Sequence, residues 1–135
     1  MKVKTSKLTG PALNWAVARC EGFESFEFWH TGAVTTRQEN GLTITHRYST
    51  DWAQGGPIVE REGLWVRESA VVSPAVADVM TPDQKWFAYA KQYPDSCKNH
   101  CLYGSTFLVA AMRCFVTSRL GDEVDVPEEL CASAI

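Results

Sequence analysis

The sequence predicts an α+β fold: a small antiparallel sheet with an N-terminal helix and a C-terminal amphipathic helix packed on it. Three observations carry this reading. Residues 10–21 and 106–120 repeat apolar side chains at helical spacing between recognisable start and stop signals. Asn40-Gly41 lies between two runs of strand-forming residues. The length, 135 residues, fits a single domain, 1–135, that can fold without disulfides or metal.

The first helix is expected over residues 10–21. Thr9 is a good N-cap, and Pro11 falls in the first turn, where its missing N–H costs little. Leu8 and Leu13 can staple across that cap. Leu13, Ala16, Val17 and Cys20 make one apolar face, and Gly22 suits the left-handed position after the helix. The face reads as core packing rather than partner docking.

A hairpin follows, with a type I′ turn at Asn40-Gly41 and a weak first strand; Leu42, Ile44 and His46 alternate with Thr43, Thr45 and Arg47. Gly55, Gly56 and Pro57 read as an end to regular structure, with Pro57 starting a short helical turn through Arg61 that Gly63 ends. Leu64-Trp65-Val66 reads as a strand, and residues 69–79 as a strand or a connection. Thr81, Pro82 and Gln84 form a capping-box-like start that favours helix, whereas Trp86-Phe87-Ala88-Tyr89 favours strand, the preferred reading. Residues 93–104 read as a polar loop.

The last helix is capped by Ser105 or Thr106 and ended by Gly121. Leu108, Ala111, Met112, Phe115, Val116 and Leu120 share a face. Its large side chains represent on the order of 10 kcal/mol of gross burial, comparable to the net stability of such a domain. This assigns the face to the core. Function is then expected on Arg113 and Arg119 opposite, or at the helix's N-terminal end. Residues 127–130 read as a final short turn.

Net charge is −3, with a basic start (Lys2, Lys4, Lys7) and an acidic end (Asp122, Glu123, Asp125, Glu128, Glu129). No Lys/Arg cluster is long enough for a duplex-DNA face, which argues against nucleic acid. Five cysteines without a signal peptide read as reduced cytosolic thiols. No apolar run approaches the ~20 residues of a membrane span.

The motifs for chemistry are sparse. Cys97, His100 and Cys101 have an allowed zinc spacing but lack a second spaced ligand pair, so no metal and no cofactor are expected. No nucleophile elbow is present, and His30, His46 and His100 are scattered. No catalytic residue is assigned; an enzyme would need His46 or a cysteine beside a carboxylate in a cleft. Anion binding is the more concrete possibility. Gly55-Gly56 before Pro57, and Gly104-Ser105-Thr106 before Phe107, lead into helical starts whose free N–H groups attract anions. Tyr48, Trp52 and Trp65 could stack on a base, Arg61 or Arg113 could pair with a phosphate, and Ser49, Thr50, Asp51 and Gln54 supply hydrogen-bonding groups. Converging, these would suit a nucleotide-like small molecule.

Two stretches resemble the NinX-like family of short proteins encoded by tailed phages and prophages. One is Tyr48-Ser49-Thr50-Asp51-Trp52-Ala53-Gln54-Gly55-Gly56-Pro57-Ile58-Val59-Glu60-Arg61-Glu62. The other is Gly104-Ser105-Thr106-Phe107-Leu108-Val109-Ala110-Ala111-Met112-Arg113-Cys114-Phe115-Val116, continuing through Leu120-Gly121-Asp122-Glu123-Val124. The opening Met1-Lys2-Val3-Lys4-Thr5 is similar too. Where the family often has Thr-Pro, this chain has Thr106-Phe107. The family's activity is undefined, so the resemblance implies a phage accessory protein made in the host cytoplasm and not a reaction. The leading expectation is a non-enzymatic binding protein that sequesters a nucleotide-derived defence signal. The alternatives are a module that binds a host defence protein through Trp29 and Trp86, and a small enzyme acting on a nucleotide-like substrate. A homo-oligomer is left open.

Overall fold

The computed structural model describes residues 1–69, 81–90 and 102–131. Strand β1 (Lys2–Lys4) leads through a 3-10 turn (Thr5–Lys7) into helix α1 (Gly10–Cys20). Thr9 is extended at the N-cap position, although its side chain makes no capping bond, and Gly22 takes φ +98° after the helix. Strands β2 (Glu27–Phe28), β3 (Val34–Arg37) and β4 (Thr43–Thr45) form an antiparallel sheet in that order. Helix α2 (Trp52–Glu62) follows, then β5 (Leu64–Glu68). A 3-10 turn (Pro82–Gln84) precedes β6 (Trp86–Ala90), and β7 (Leu102–Gly104) leads into helix α3 (Phe107–Leu120). Strand β8 (Glu123–Asp125) and a 3-10 turn (Glu128–Leu130) complete the described chain.

The fold is α+β with small antiparallel sheets: β2-β3-β4, β5-β6-β7, and the pair β1-β8. Both features of residues 81–90 are realised. The capping box forms at Thr81 and Gln84, but it opens only one 3-10 turn before the aromatic run pairs as strand. Of the residues read as polar loop, Leu102–Gly104 form β7, while residues 91–101, with Cys97, His100 and Cys101, lie outside the described residues, as do 70–79.

Helix α3 is the core of the molecule. Its apolar face was expected to be buried, with a polar face opposite. Instead every residue from Leu108 to Thr117 is buried, Arg113 included. The sheet β5-β6-β7, α1, α2 and the N-terminal 3-10 turn pack around it. A helix surrounded in this way needs small residues where neighbours approach, and Ala110 and Ala111 are fully buried there. At its cap, Thr106 Oγ1 accepts from the Val109 N–H at 3.1 Å.

The hairpin is present but its turn differs from the expectation. Gly41 N–H donates to Gln38 O, and Gln38 N–H to Leu42 O. Only Gly41 has positive φ, +86°; Asn40 does not, so a type I′ turn is ruled out. Three residues close the loop, with the glycine in the left-handed position that follows a type I turn.

The basic start and acidic end of the chain meet. Lys2 lies opposite Asp125 and Lys4 opposite Glu123 in the antiparallel β1-β8 register. Below this strap, Thr117 Oγ1 donates to Thr5 Oγ1 at 2.8 Å, and Thr5 Oγ1 donates to Gly121 O at 2.9 Å.

His46 is enclosed in the core, 1% exposed, between Phe23, Phe26 and Tyr48. Thr36 Oγ1 spends its only hydrogen on Ser25 O, so at 2.9 Å it must accept from His46 Nε2–H. Nδ1 is then bare and accepts from the Tyr48 hydroxyl at 3.1 Å. The imidazole is neutral, and burial holds its pKa below the ordinary value while pushing Tyr48 up to about 12. A histidine whose folded pKa is depressed leaves the unfolded chain binding more protons below pH ~6.5, so stability rises with pH there. Chemical denaturation should show full stability above that pH. On acidification through the window below it, stability should fall by at most about 1.4 kcal/mol per pH unit. A flat profile between neutrality and the carboxylate range would contradict the assignment.

Candidate functional site

The segment from Tyr48 to Glu62 forms differently from the sequence reading. Asp51 caps α2, its Oδ1 accepting from Ala53 N–H at 3.0 Å, and the helix runs unbroken through Gly55, Gly56 and Pro57. Gly55 is inside the helix because nothing larger fits: a Cβ there would lie 2.5 Å from Tyr48 O and 2.9 Å from Leu108 Cδ2. Pro57 is tolerated on the exposed side of the helix, with the carbonyl it leaves unpaired belonging to exposed Ala53. The glycine pair is therefore not an anion-binding start before Pro57. The true start of α2 is already met by the Asp51 carboxylate.

Gly104 is likewise structural. A Cβ on it would stand 2.4 Å from Ala110 N, so glycine lets β7 lie against the backbone of α3. Ser105 and Thr106 are exposed at the start of that helix.

The two family-like stretches do meet. The Trp52 ring lies 4.9 Å from the Phe107 ring, centroid to centroid, and Trp86 stands edge-on to Phe107 at 5.7 Å. Trp52 remains 57% exposed. The starts of α2 and α3 thus share one aromatic surface, bordered by exposed Thr50, Ser105 and Thr106.

The other expected site residues do not join it as ligand groups. Tyr48 is buried against His46, and Ser49 donates from its N–H and Oγ to Asn14 Oδ1 at 2.9 and 2.8 Å. Gln54 ties the helix to the hairpin: Nε2 donates to Thr45 O and Oε1 accepts from Arg47 N–H, both at 2.8 Å. Arg61 forms a bidentate pair with Glu21 and a further bond to Glu62, which also holds Arg119. Those arginines hold the Glu62 carboxyl below its ordinary pKa against the opposing effect of burial, the largest single contribution. Trp65 is on the other face of the β5-β6-β7 sheet, 5.6 Å from Tyr89.

Arg113 was expected on a free helix face. It is 3% exposed: Nε donates to Leu8 O at 2.7 Å, and Nη1 to Tyr103 O at 2.8 Å and to both Asp83 oxygens. An arginine can be buried only when such partners replace its water.

Sequence reasoning missed Phe107 and Asn14. Phe107 follows the cap at the position where the resemblance implies a proline, and Asn14 is a lone polar side chain between Leu13 and Trp15, with no local signal that marks either.

Among the described residues, no group of three or more His, Cys, Asp or Glu could hold a metal. No helix among them is long and apolar enough to cross a membrane. The hydrogen-bond partners of His46 are Thr36 and Tyr48, not a carboxylate. Burial raises the thiol of half-buried Cys20 to about 11, the reverse of an activated nucleophile.

Fold and site define a small α+β protein wrapped around one central helix, with aromatic rings gathered where two helices begin. The family described as Bacteriophage P22, NinX matches residues 4–119, well beyond the two stretches that first carried the resemblance. The chain belongs to this NinX family of phage proteins, whose function is undefined. No curated protein matches it.

Proposed function

We propose that the chain is a non-enzymatic phage accessory protein that binds a host protein through the aromatic surface of Trp52, Phe107 and Trp86, acting in the host cytoplasm. The observation that carries this is the exposure of Trp52, 57%, on a ring cluster built by the two helix starts. An indole held on the surface and rigidly backed by another ring is the usual anchor of a protein interface. Thr50, Ser105 and Thr106 supply a polar rim.

Sequestration of a nucleotide-derived defence signal is the second reading. It is favoured by the stacking face of Trp52 and disfavoured by the Asp51 carboxylate at the same helix start, with Arg61 committed to Glu21 and Glu62.

Trp52→Ala separates these. Because the ring is largely exposed, melting should shift by no more than about 1 kcal/mol equivalent. A stoichiometric host protein captured by the wild type should be lost with the variant. Capture unchanged by Trp52→Ala overturns the first reading. A melting shift with cyclic nucleotides or ADP-ribose derivatives, absent in the variant, would establish the second in its place.

A further inference from the structure

A second surface, apart from the aromatic cluster, opens beside the N-terminal segment. A groove of about 560 Å³ is lined by Lys2, Lys4, Lys7, Thr9, Asp83 and Arg113 among others. That volume falls within the range of small-ligand sites. Four cationic side chains face one carboxylate, and that carboxylate, Asp83, is already held by Arg113 Nη1.

Three features point to an anionic occupant. First, Arg113 is buried to 3% exposure, and while Nε and Nη1 are bonded, Nη2 makes no hydrogen bond among the described residues. A guanidinium edge left bare inside a protein is a costly donor that a ligand oxygen would satisfy. Second, Thr9 brings the start of α1 to the groove. Its hydroxyl makes no cap bond and the first turn carries no acidic residue, so the positive end of this 11-residue helix is uncompensated. Third, Lys2, Lys4 and Lys7 make no ion pair among the described residues. Glu123 and Asp125 stand opposite Lys4 and Lys2 across the strap, and Asp125 takes the terminal ammonium. Lys7, beyond the strap, has no such counter-charge in register.

We infer that this groove binds a small phosphate-bearing molecule, the phosphate resting between Arg113 Nη2, Lys7 and the start of α1. A dianion matches several cations around one point. The acidic net charge of the chain and the small extent of the groove do not suit a nucleic-acid backbone.

The test is calorimetric titration of the full chain with inorganic phosphate, and in a second arm with glycerol phosphate, at low ionic strength. Saturable binding is expected, weakened about tenfold by Lys7→Gln and suppressed by added salt. Arg37→Gln, on strand β3 and outside the lining of the groove, should bind as the wild type does, and so should Trp52→Ala, which separates this site from the aromatic surface. Tighter binding of the ester identifies a carried phosphate; equal binding identifies the free ion. Absence of saturable heat, equal affinity in Lys7→Gln, or tighter binding of a short glutamate peptide than of either phosphate overturns the inference.

Discussion

Replacing Arg113 with methionine should lower the unfolding free energy by about 3–5 kcal/mol, a large share of the 5–15 kcal/mol typical of a domain. The guanidinium is nearly sealed from water, and it serves three separate pieces of chain: Leu8 O before α1, Tyr103 O in β7, and Asp83 in the turn before β6. Methionine fills most of the volume but donates nothing. Two carbonyls lose their donor, at about 1–3 kcal/mol each, and Asp83 loses its counter-charge. Asp83 is 48% exposed at its side chain, so water recovers part of that last loss. Asp83→Asn should therefore cost far less, about 1 kcal/mol. Denaturant unfolding of the two variants checks the ordering. Equal losses would mean that the ion pair, and not the carbonyl bonds, dominates.

Gly104→Ala should be comparably damaging, at about 3 kcal/mol or more, through crowding rather than lost bonds. The added methyl would meet Ala110 N at 2.4 Å, Ala110 Cα at 2.9 Å and Val109 C at 3.0 Å, all backbone of the central helix. No rotamer relieves a clash with backbone, so β7 would have to move off α3. Gly56→Ala is the control. Its Cβ would find only Trp52 Cε3, at 3.8 Å, an ordinary contact. In a helix interior the exchange then stabilises by about 0.5–1 kcal/mol through reduced backbone entropy of the unfolded chain. Melting temperatures of the two variants should move in opposite directions. A destabilised Gly56→Ala would show that α2 is strained at Pro57 in a way these distances do not reveal.

The contrast between adjacent glycines explains why part of the candidate site was illegible. Gly55 and Gly56 look alike in the sequence, and with Pro57 they read as a helix stop. Local propensity did favour a break. The helix runs through regardless, and glycine is required at position 55 because Tyr48 O and Leu108 press on that face of α2. That pressure comes from residues 7 and 53 positions away, and no local window contains both. The same holds for Gly104, read as part of an anion-binding start and found to be the point where a strand touches a helix backbone.

Arg113 shows the limit in electrostatics. Periodicity placed it opposite the apolar face, which is correct for an isolated helix. Whether that opposite side meets water depends on what else packs there, and here it meets Leu8, Asp83 and Tyr103. Charge asymmetry along the chain was equally visible, but not that β1 and β8 would bring its two ends side by side.

By itself the sequence determined the α+β class, the start and end of α1 and α3, the strand at Trp86–Ala90 and the phage family. These rest on caps, left-handed glycines, side-chain periodicity and residue-by-residue motif identity, all properties of neighbours in the chain. Tertiary structure alone decided that α3 is buried on every side, that His46 is a neutral core residue, and that Arg113 is an internal tie. It also decided that Trp52 and Phe107 share one surface. Each depends on which distant segment removes water from a given face, and burial, unlike periodicity, is a property of the assembled chain.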